Sequence, residues 1–151
     1  MKDIKAALVT GGATGIGKAC ALSFLEGGYA VAIVGRRKEK IEETERELAD
    51  IFGNEKVLAI AADVSSREDV EKIFASIEEK YGRIDVVINN AGVAPSHPFL
   101  ETSYEEYDRA IKINQYGTFM CMQKGAKMMV EKGISGVIIN MGSIYGKVAS
   151  G

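Results

Sequence analysis

The first sign of chemistry is the run Thr10-Gly11-Gly12-Ala13-Thr14-Gly15-Ile16-Gly17, set between an apolar stretch and a helical one. Glycine is needed where backbone turns with positive φ, where it must approach a ligand closely, and where a helix packs onto a strand. A helix starting there offers unbonded amides and the positive end of its dipole, and together these attract phosphate. The glycines stand at Gly11, Gly15 and Gly17, so the spacing is glycine, three residues, glycine, one residue, glycine rather than GxGxxG. A Walker phosphate loop is ruled out, because Gly17-Lys18 continues into Ala19 where serine or threonine is required. Taken alone, the run also fits a plain, tight strand-to-helix connection.

Such a turn needs a strand before it and a helix after it. Apolar, β-branched runs at 6–10, 30–34, 57–61, 84–89 and 137–141 alternate with longer helical stretches. The runs are nearly unbroken, as expected when helices cover both faces of a sheet. Ile41, Leu48 and Phe52 form one helical stripe, and Val70, Ile73, Phe74 and Ile77 form another. Ser65 followed by Glu68, and Thr102 followed by Glu105, read as capping boxes; Gly53 and Gly82 suit helix ends. The expected fold is α/β, a Rossmann-type doubly wound parallel sheet. Right-handed crossovers give the strand order 3-2-1-4-5, with the ligand crevice between strands 1 and 4.

With 151 residues, 46% hydrophobic and 26% charged, the chain has the proportions of one globular domain. Its 19 basic and 21 acidic side chains leave a net charge of -2, which points away from nucleic acid and anionic membrane as partners. No apolar run approaches the roughly twenty residues that span a bilayer, and the start reads as a strand rather than a signal peptide. A cytoplasmic protein is expected. Cys20 and Cys121 lie in separate helical stretches with no CxxC or Cys/His cluster, so reduced structural thiols and no metal site are expected.

The run from Thr10 to Gly17, together with Asn89-Asn90-Ala91-Gly92 at the end of the fourth strand, resembles the short-chain dehydrogenase/reductase family. The likeness extends over essentially the whole chain. It implies an oxidoreductase that interconverts a small-molecule carbonyl and a secondary alcohol by hydride transfer with a nicotinamide dinucleotide. On that likeness, Gly11, Thr14, Gly15, Ile16 and Gly17 hold the pyrophosphate, and Asp63 with Val64 contacts adenine. Asn90, Ala91 and Gly92 then line the ribose side, while Asn89 ties neighbouring strands. Asn114, in the long fourth helix, resembles the asparagine that holds a proton-relay water. Ser143 resembles the serine that hydrogen-bonds the substrate carbonyl. Plainer readings stand beside these: a turn or cap for Asp63, backbone bonding for Asn114 and a chain turn for Ser143.

Cofactor preference follows from charge. An NAD site needs an acid about twenty positions beyond the glycine turn, whereas arginine there accepts a 2′-phosphate. Here the second strand ends in Val34-Gly35-Arg36-Arg37, so glycine holds the acid's place and two guanidinium groups follow. NADP(H) is therefore preferred and NAD(H) left open, with Arg36 the main contact and Arg37 the lesser. Arg36 also weighs against a methyltransferase, whose cofactor has an unphosphorylated ribose.

The resemblance also implies a tyrosine general acid in a Tyr-x-x-x-Lys pair about a dozen positions after the serine, which falls beyond Gly151. Tyr145 has Ala149 where lysine would be needed and is expected to line the substrate mouth instead. His97, between Pro95 and Pro98, reads as an exposed loop residue. The segment is thus expected to be inactive alone, an incomplete domain with a bare apolar sheet edge. A noncatalytic NADP(H)-binding module is the alternative. The family likeness further implies a dimer or tetramer at full length.

Overall fold

The computed structural model describes residues 4–95 and 97–147, apart from the Tyr145 side chain. Five strands, β1 (Ala6–Thr10), β2 (Ala30–Gly35), β3 (Val57–Ala61), β4 (Val86–Asn89) and β5 (Val137–Asn140), form one sheet in the order β3-β2-β1-β4-β5. All the pairings are parallel, with Ala7 opposite Val31 on one side and Val86 on the other. The expected topology is therefore present. The fourth strand begins at Val86 rather than position 84; just before it, the Asp85 N–H donates to the Ala6 carbonyl at 2.8 Å and the Asp85 carboxylate accepts from the Ala6 amide at 2.8 Å. The fifth ends at Asn140, one residue short of the expected limit.

Strand alternation divides the core into two layers. Ala7, Val9, Val31, Ile33 and Ile88 face α1 (Gly15–Glu26) and α2 (Lys38–Phe52), meeting Ala21, Leu25, Ile41 and Leu48. Leu8, Ala32, Val34 and Val87 face the opposite layer, α3 (Arg67–Tyr81) and α5 (Thr118–Glu131), meeting Ile73, Ile77, Cys121 and Met128. Leu8, Leu25, Ile33, Ile41, Ile73 and Ile77 are each at most 2% exposed, and burying such a side chain contributes about 1.5–3 kcal/mol. These layers hold the strand C-termini, and hence the loops that follow them, in a fixed row.

The two sheet edges differ. On β3, Glu45 accepts from the Ala59 amide at 2.8 Å and Lys80 donates to the Val57 carbonyl at 2.6 Å, so charged side chains occupy that edge. On β5, Val137 and Ile139 are exposed.

Both expected helix caps sit one residue further along, and only the second is a capping box. Ser66, not Ser65, caps α3 by accepting from the Asp69 amide, because Ser65 instead bonds Asp63. Ser103 and Glu106, not Thr102 and Glu105, form the capping box of α4 (Tyr104–Ile111). The Thr102 hydroxyl donates back to the Pro98 carbonyl at 3.1 Å. Gly53 and Gly82 end α2 and α3 as expected, with φ of 97° and 70°.

The long fourth helix is not continuous. A π-helical segment, Lys112–Gly117, separates α4 from α5 and carries Asn114. Gly117 ends the segment at a close contact: a Cβ there would lie 2.8 Å from Val64 Cγ2 and 3.0 Å from the Val64 carbonyl oxygen. Only glycine lets this helix press against the loop after β3.

Candidate functional site

The loops after the first four strands meet in one cleft at the β1/β4 switch point. Gly11, Gly35, Arg36, Asp63, Val64, Ala91, Gly92 and Ile113 are among the residues that line it.

At its base, Thr10 binds two loops together. Its hydroxyl donates to the Ile88 carbonyl at 3.3 Å and accepts from the amides of Asn90 and Ala91, both at 3.0 Å. Asn90 returns the contact, its side-chain amide donating to the carbonyls of Thr10 at 3.0 Å and Gly11 at 3.3 Å. The Asn90 side chain thus holds the glycine turn in shape, while Ala91 and Gly92 form the cleft wall. Asn89 lies below, donating to Asn140 Oδ1 at 2.8 Å, which ties β4 to β5.

The turn itself is open. Gly11 and Gly15 adopt φ of 66° and 53°, and nothing lies within 4 Å of where a Gly15 Cβ would stand. Gly17 is the reverse case, because a Cβ there would overlap the Gly11 carbonyl oxygen and lie 2.6 Å from Asn90 Nδ2. Thr14 is the N-cap of α1 but gives no side-chain cap, and the first turn holds no acidic residue. Among the described residues, no protein group accepts from the amides of Thr14, Gly15, Ile16 or Gly17. Ile16 is 63% exposed, so it leaves the helix start open. Free amides at a helix N-terminus with room above them suit a phosphate group.

Arg36 and Asp63 mark the other end of the cleft. Burial disfavours the Asp63 carboxylate, but bonds from the Ser65 amide at 2.9 Å and hydroxyl at 2.7 Å outweigh it, helped by the Arg36 and Arg109 guanidiniums. The carboxyl is held below its usual range, ionised and ready to accept a hydrogen bond. Arg37 stands elsewhere: it is the N-cap residue of α2 and borders a separate depression with Lys38, Lys40 and Arg46.

Asn114 clasps the loop after β4. Its Oδ1 accepts from the Val93 amide at 2.8 Å and its Nδ2 donates to the Val93 carbonyl at 2.7 Å. Each polar group keeps further hydrogen-bonding capacity. Ser143 is exposed just past β5, and its carbonyl accepts from the Gly146 amide at 3.0 Å. The expected place of Tyr145 at the substrate mouth lies outside the described side chains. His97 is about half exposed and meets Glu106 at 2.8 Å. That bond, with the Ser103 amide, lowers the Glu106 pKa.

Sequence reasoning missed Thr10 as the tie between the two motifs, although it is the first residue of the glycine run. Its part depends on contacts 78 to 81 residues away in sequence.

No helix among the described residues is long and apolar enough to cross a membrane.

Comparison with known proteins agrees with this geometry. The family model for short chain dehydrogenase matches residues 5–151. The chain is 34% identical over 146 residues to a 3alpha-hydroxysteroid dehydrogenase from Mediterraneibacter gnavus, covering 95% of this chain and 58% of that protein. It is 36% identical over 144 residues to an NADP-dependent (R)-specific alcohol dehydrogenase from Lentilactobacillus kefiri, covering 95% of this chain and 56% of that one. A short chain dehydrogenase from Bacillus anthracis superposes with a TM-score of 0.89 at 40% identity, over 97% of this chain and 60% of the other. The chain thus spans well under two thirds of the length of these relatives. By this match over nearly its whole length, the chain belongs to the short-chain dehydrogenase/reductase family.

Proposed function

We propose that this chain is the dinucleotide-binding part of a cytoplasmic oxidoreductase that takes NADP(H) in preference to NAD(H) and acts on a small carbonyl or alcohol. The observation that carries the reading is the pairing, in one cleft, of Gly11 of the glycine turn with Arg36, next to a helix start that is uncapped and open. The name of the Lentilactobacillus kefiri relative, which specifies NADP, agrees with it.

In this reading the amides at 14–17 receive the pyrophosphate, and Arg36 takes the 2′-phosphate through charge-assisted bonds. Asp63 accepts from the adenine amino group, and the small residues Ala91 and Gly92 let the ligand lie against the sheet. When bound, the nicotinamide dinucleotide supplies hydride exchange. Ser143 donates to the substrate oxygen, and Asn114 fixes the Val93 loop that forms one wall. The proton donor is assigned to a tyrosine past Gly151, so the segment alone is expected to turn over little: a positioned general acid contributes about 10²- to 10⁴-fold in rate. At full length a dimer or tetramer is expected.

Fluorescence titration with NADPH and NADH tests the cofactor assignment. Arg36→Ala is expected to weaken NADPH by about 10- to 100-fold, the value of a charged hydrogen bond, and to leave NADH unchanged. Equal losses for both, or no binding of either by the unmodified chain, would overturn it.

A further inference from the structure

Among the described residues the buried polar side chains are Thr10, Thr44, Asp85 and Asn89. Thr10 joins the two cleft loops, Asp85 anchors the start of β1, and Asn89 ties β4 to β5. Thr44 has no comparable task within its own helix. It is fully buried on the inner stripe of α2 beside Ile41 and Leu48.

Its hydroxyl lies 3.0 Å from the Lys40 carbonyl and 3.0 Å from the Ala13 carbonyl. The Lys40 carbonyl already receives the Thr44 amide through the ordinary helical ladder, so the hydroxyl is dispensable there. The Ala13 carbonyl is different, because no other protein donor reaches it among the described residues. Ala13 immediately precedes Thr14, the N-cap of α1. A trans peptide directs its carbonyl and the following N–H to opposite sides. Holding the Ala13 carbonyl toward α2 therefore turns the Thr14 amide away from it, and because Thr14 is extended (φ -152°, ψ 167°) this peptide sets the starting orientation of the one that carries the Gly15 amide.

We infer that Thr44 is a positioning residue for the phosphate turn: its hydroxyl fixes the Ala13-Thr14 peptide and so presets the amides that receive a dinucleotide's pyrophosphate. This rests on the reading of the turn as a pyrophosphate site. It also makes α2 a strut between the turn and the Arg36 end of the cleft, since α2 starts directly after Arg36 and Arg37.

Two substitutions in the 151-residue chain test it. Thr44→Val keeps the shape and loses the hydroxyl; Thr44→Ser keeps the hydroxyl. Backbone ¹⁵N order parameters at 13–17 are measured without ligand, and affinities are measured for NADPH and for adenosine 2′-monophosphate, which has no pyrophosphate. Thr44→Val is expected to lower the order parameters and weaken NADPH by about five- to tenfold, the value of one buried hydrogen bond, with adenosine 2′-monophosphate within about twofold. Thr44→Ser is expected to restore both. Unchanged order parameters with unchanged NADPH affinity would overturn the inference. So would an equal loss for both ligands with a lowered thermal midpoint, which marks general destabilisation. If Thr44→Val loosens the turn but the unmodified chain binds no NADPH, the hydroxyl tie stands and the pyrophosphate reading fails.

Discussion

Replacing Gly17 by alanine probes the joint between the glycine turn and the loop after β4. The new Cβ would overlap the Gly11 carbonyl oxygen and sit 2.6 Å from Asn90 Nδ2, where carbon–oxygen contacts normally begin near about 3.3 Å. Neither neighbour is free to retreat. Gly11 is fixed at φ 66°, and Asn90 is held through its own amide by Thr10 at 3.0 Å. Overpacking of this kind costs about 1–3 kcal/mol, and losing the Asn90 bond to Gly11 adds about 1. Alanine's better helix propensity returns about 1 kcal/mol, so the net loss is about 1–3 kcal/mol. Gly15→Ala is the control, because φ of 53° imposes about 1–2 kcal/mol of strain while no atom lies within 4 Å. Urea unfolding and NADPH titration on both variants separate the two roles. Gly17→Ala should lose stability first, whereas Gly15→Ala should lose more affinity than its smaller destabilisation explains. A Gly17→Ala protein as stable as the unmodified chain would refute the reasoning.

Asp85 provides a pH test. Burial disfavours its charge, but the Arg83 guanidinium at 2.6 Å and the Ala6 amide outweigh this, so its pKa is lowered. Its contribution is complete above the unfolded aspartate pKa near ~3.9 and is lost as pH falls through the folded value. Asp85→Asn should therefore lower stability at neutral pH and flatten its fall in acid, as read by denaturant midpoints from pH 7 to 3; parallel pH profiles would contradict this. Burial pushes the Cys121 thiol up to about 12, so in the native protein a thiol reagent at pH 8 should modify Cys20 and reach Cys121 only on unfolding. Tyr81→Phe removes donation to the Lys56 carbonyl at 3.1 Å and the Val31 carbonyl at 3.3 Å, and should lower stability by about 1 kcal/mol in urea unfolding. Asn114→Leu releases the Val93 loop and should speed amide exchange of Val93, whose N–H bonds Asn114 at 2.8 Å.

Residue order alone determined what local patterning can express. Unbroken β-branched runs marked the strands, apolar stripes marked the helices, and crossover handedness then left the order β3-β2-β1-β4-β5. The glycine spacing marked the turn, since glycine takes the φ of 66° and 53° found at Gly11 and Gly15 without strain. Gly35-Arg36 likewise showed which charge faces the cleft, because that loop follows directly from β2. Local rules failed where neighbours compete for the same group: Ser65 and Ser66 both resemble caps, and Asp63 decides between them by engaging Ser65.

Only the tertiary structure decided the roles that depend on chain segments far apart. Thr10 and Asn90 are 80 residues apart, yet their mutual hydrogen bonds make the glycine turn and the Asn-Asn-Ala-Gly loop one unit. Asn114 lies in a π-helical segment, where its side chain grips Val93 while Gly117 presses on Val64. Thr44, an ordinary helix residue by pattern, reaches the Ala13 carbonyl 31 residues away. Hydrophobic period and backbone preference are read over a few neighbouring positions, whereas a hydrogen bond between loops exists only after packing of the sheet and helices has brought its partners within about 3 Å.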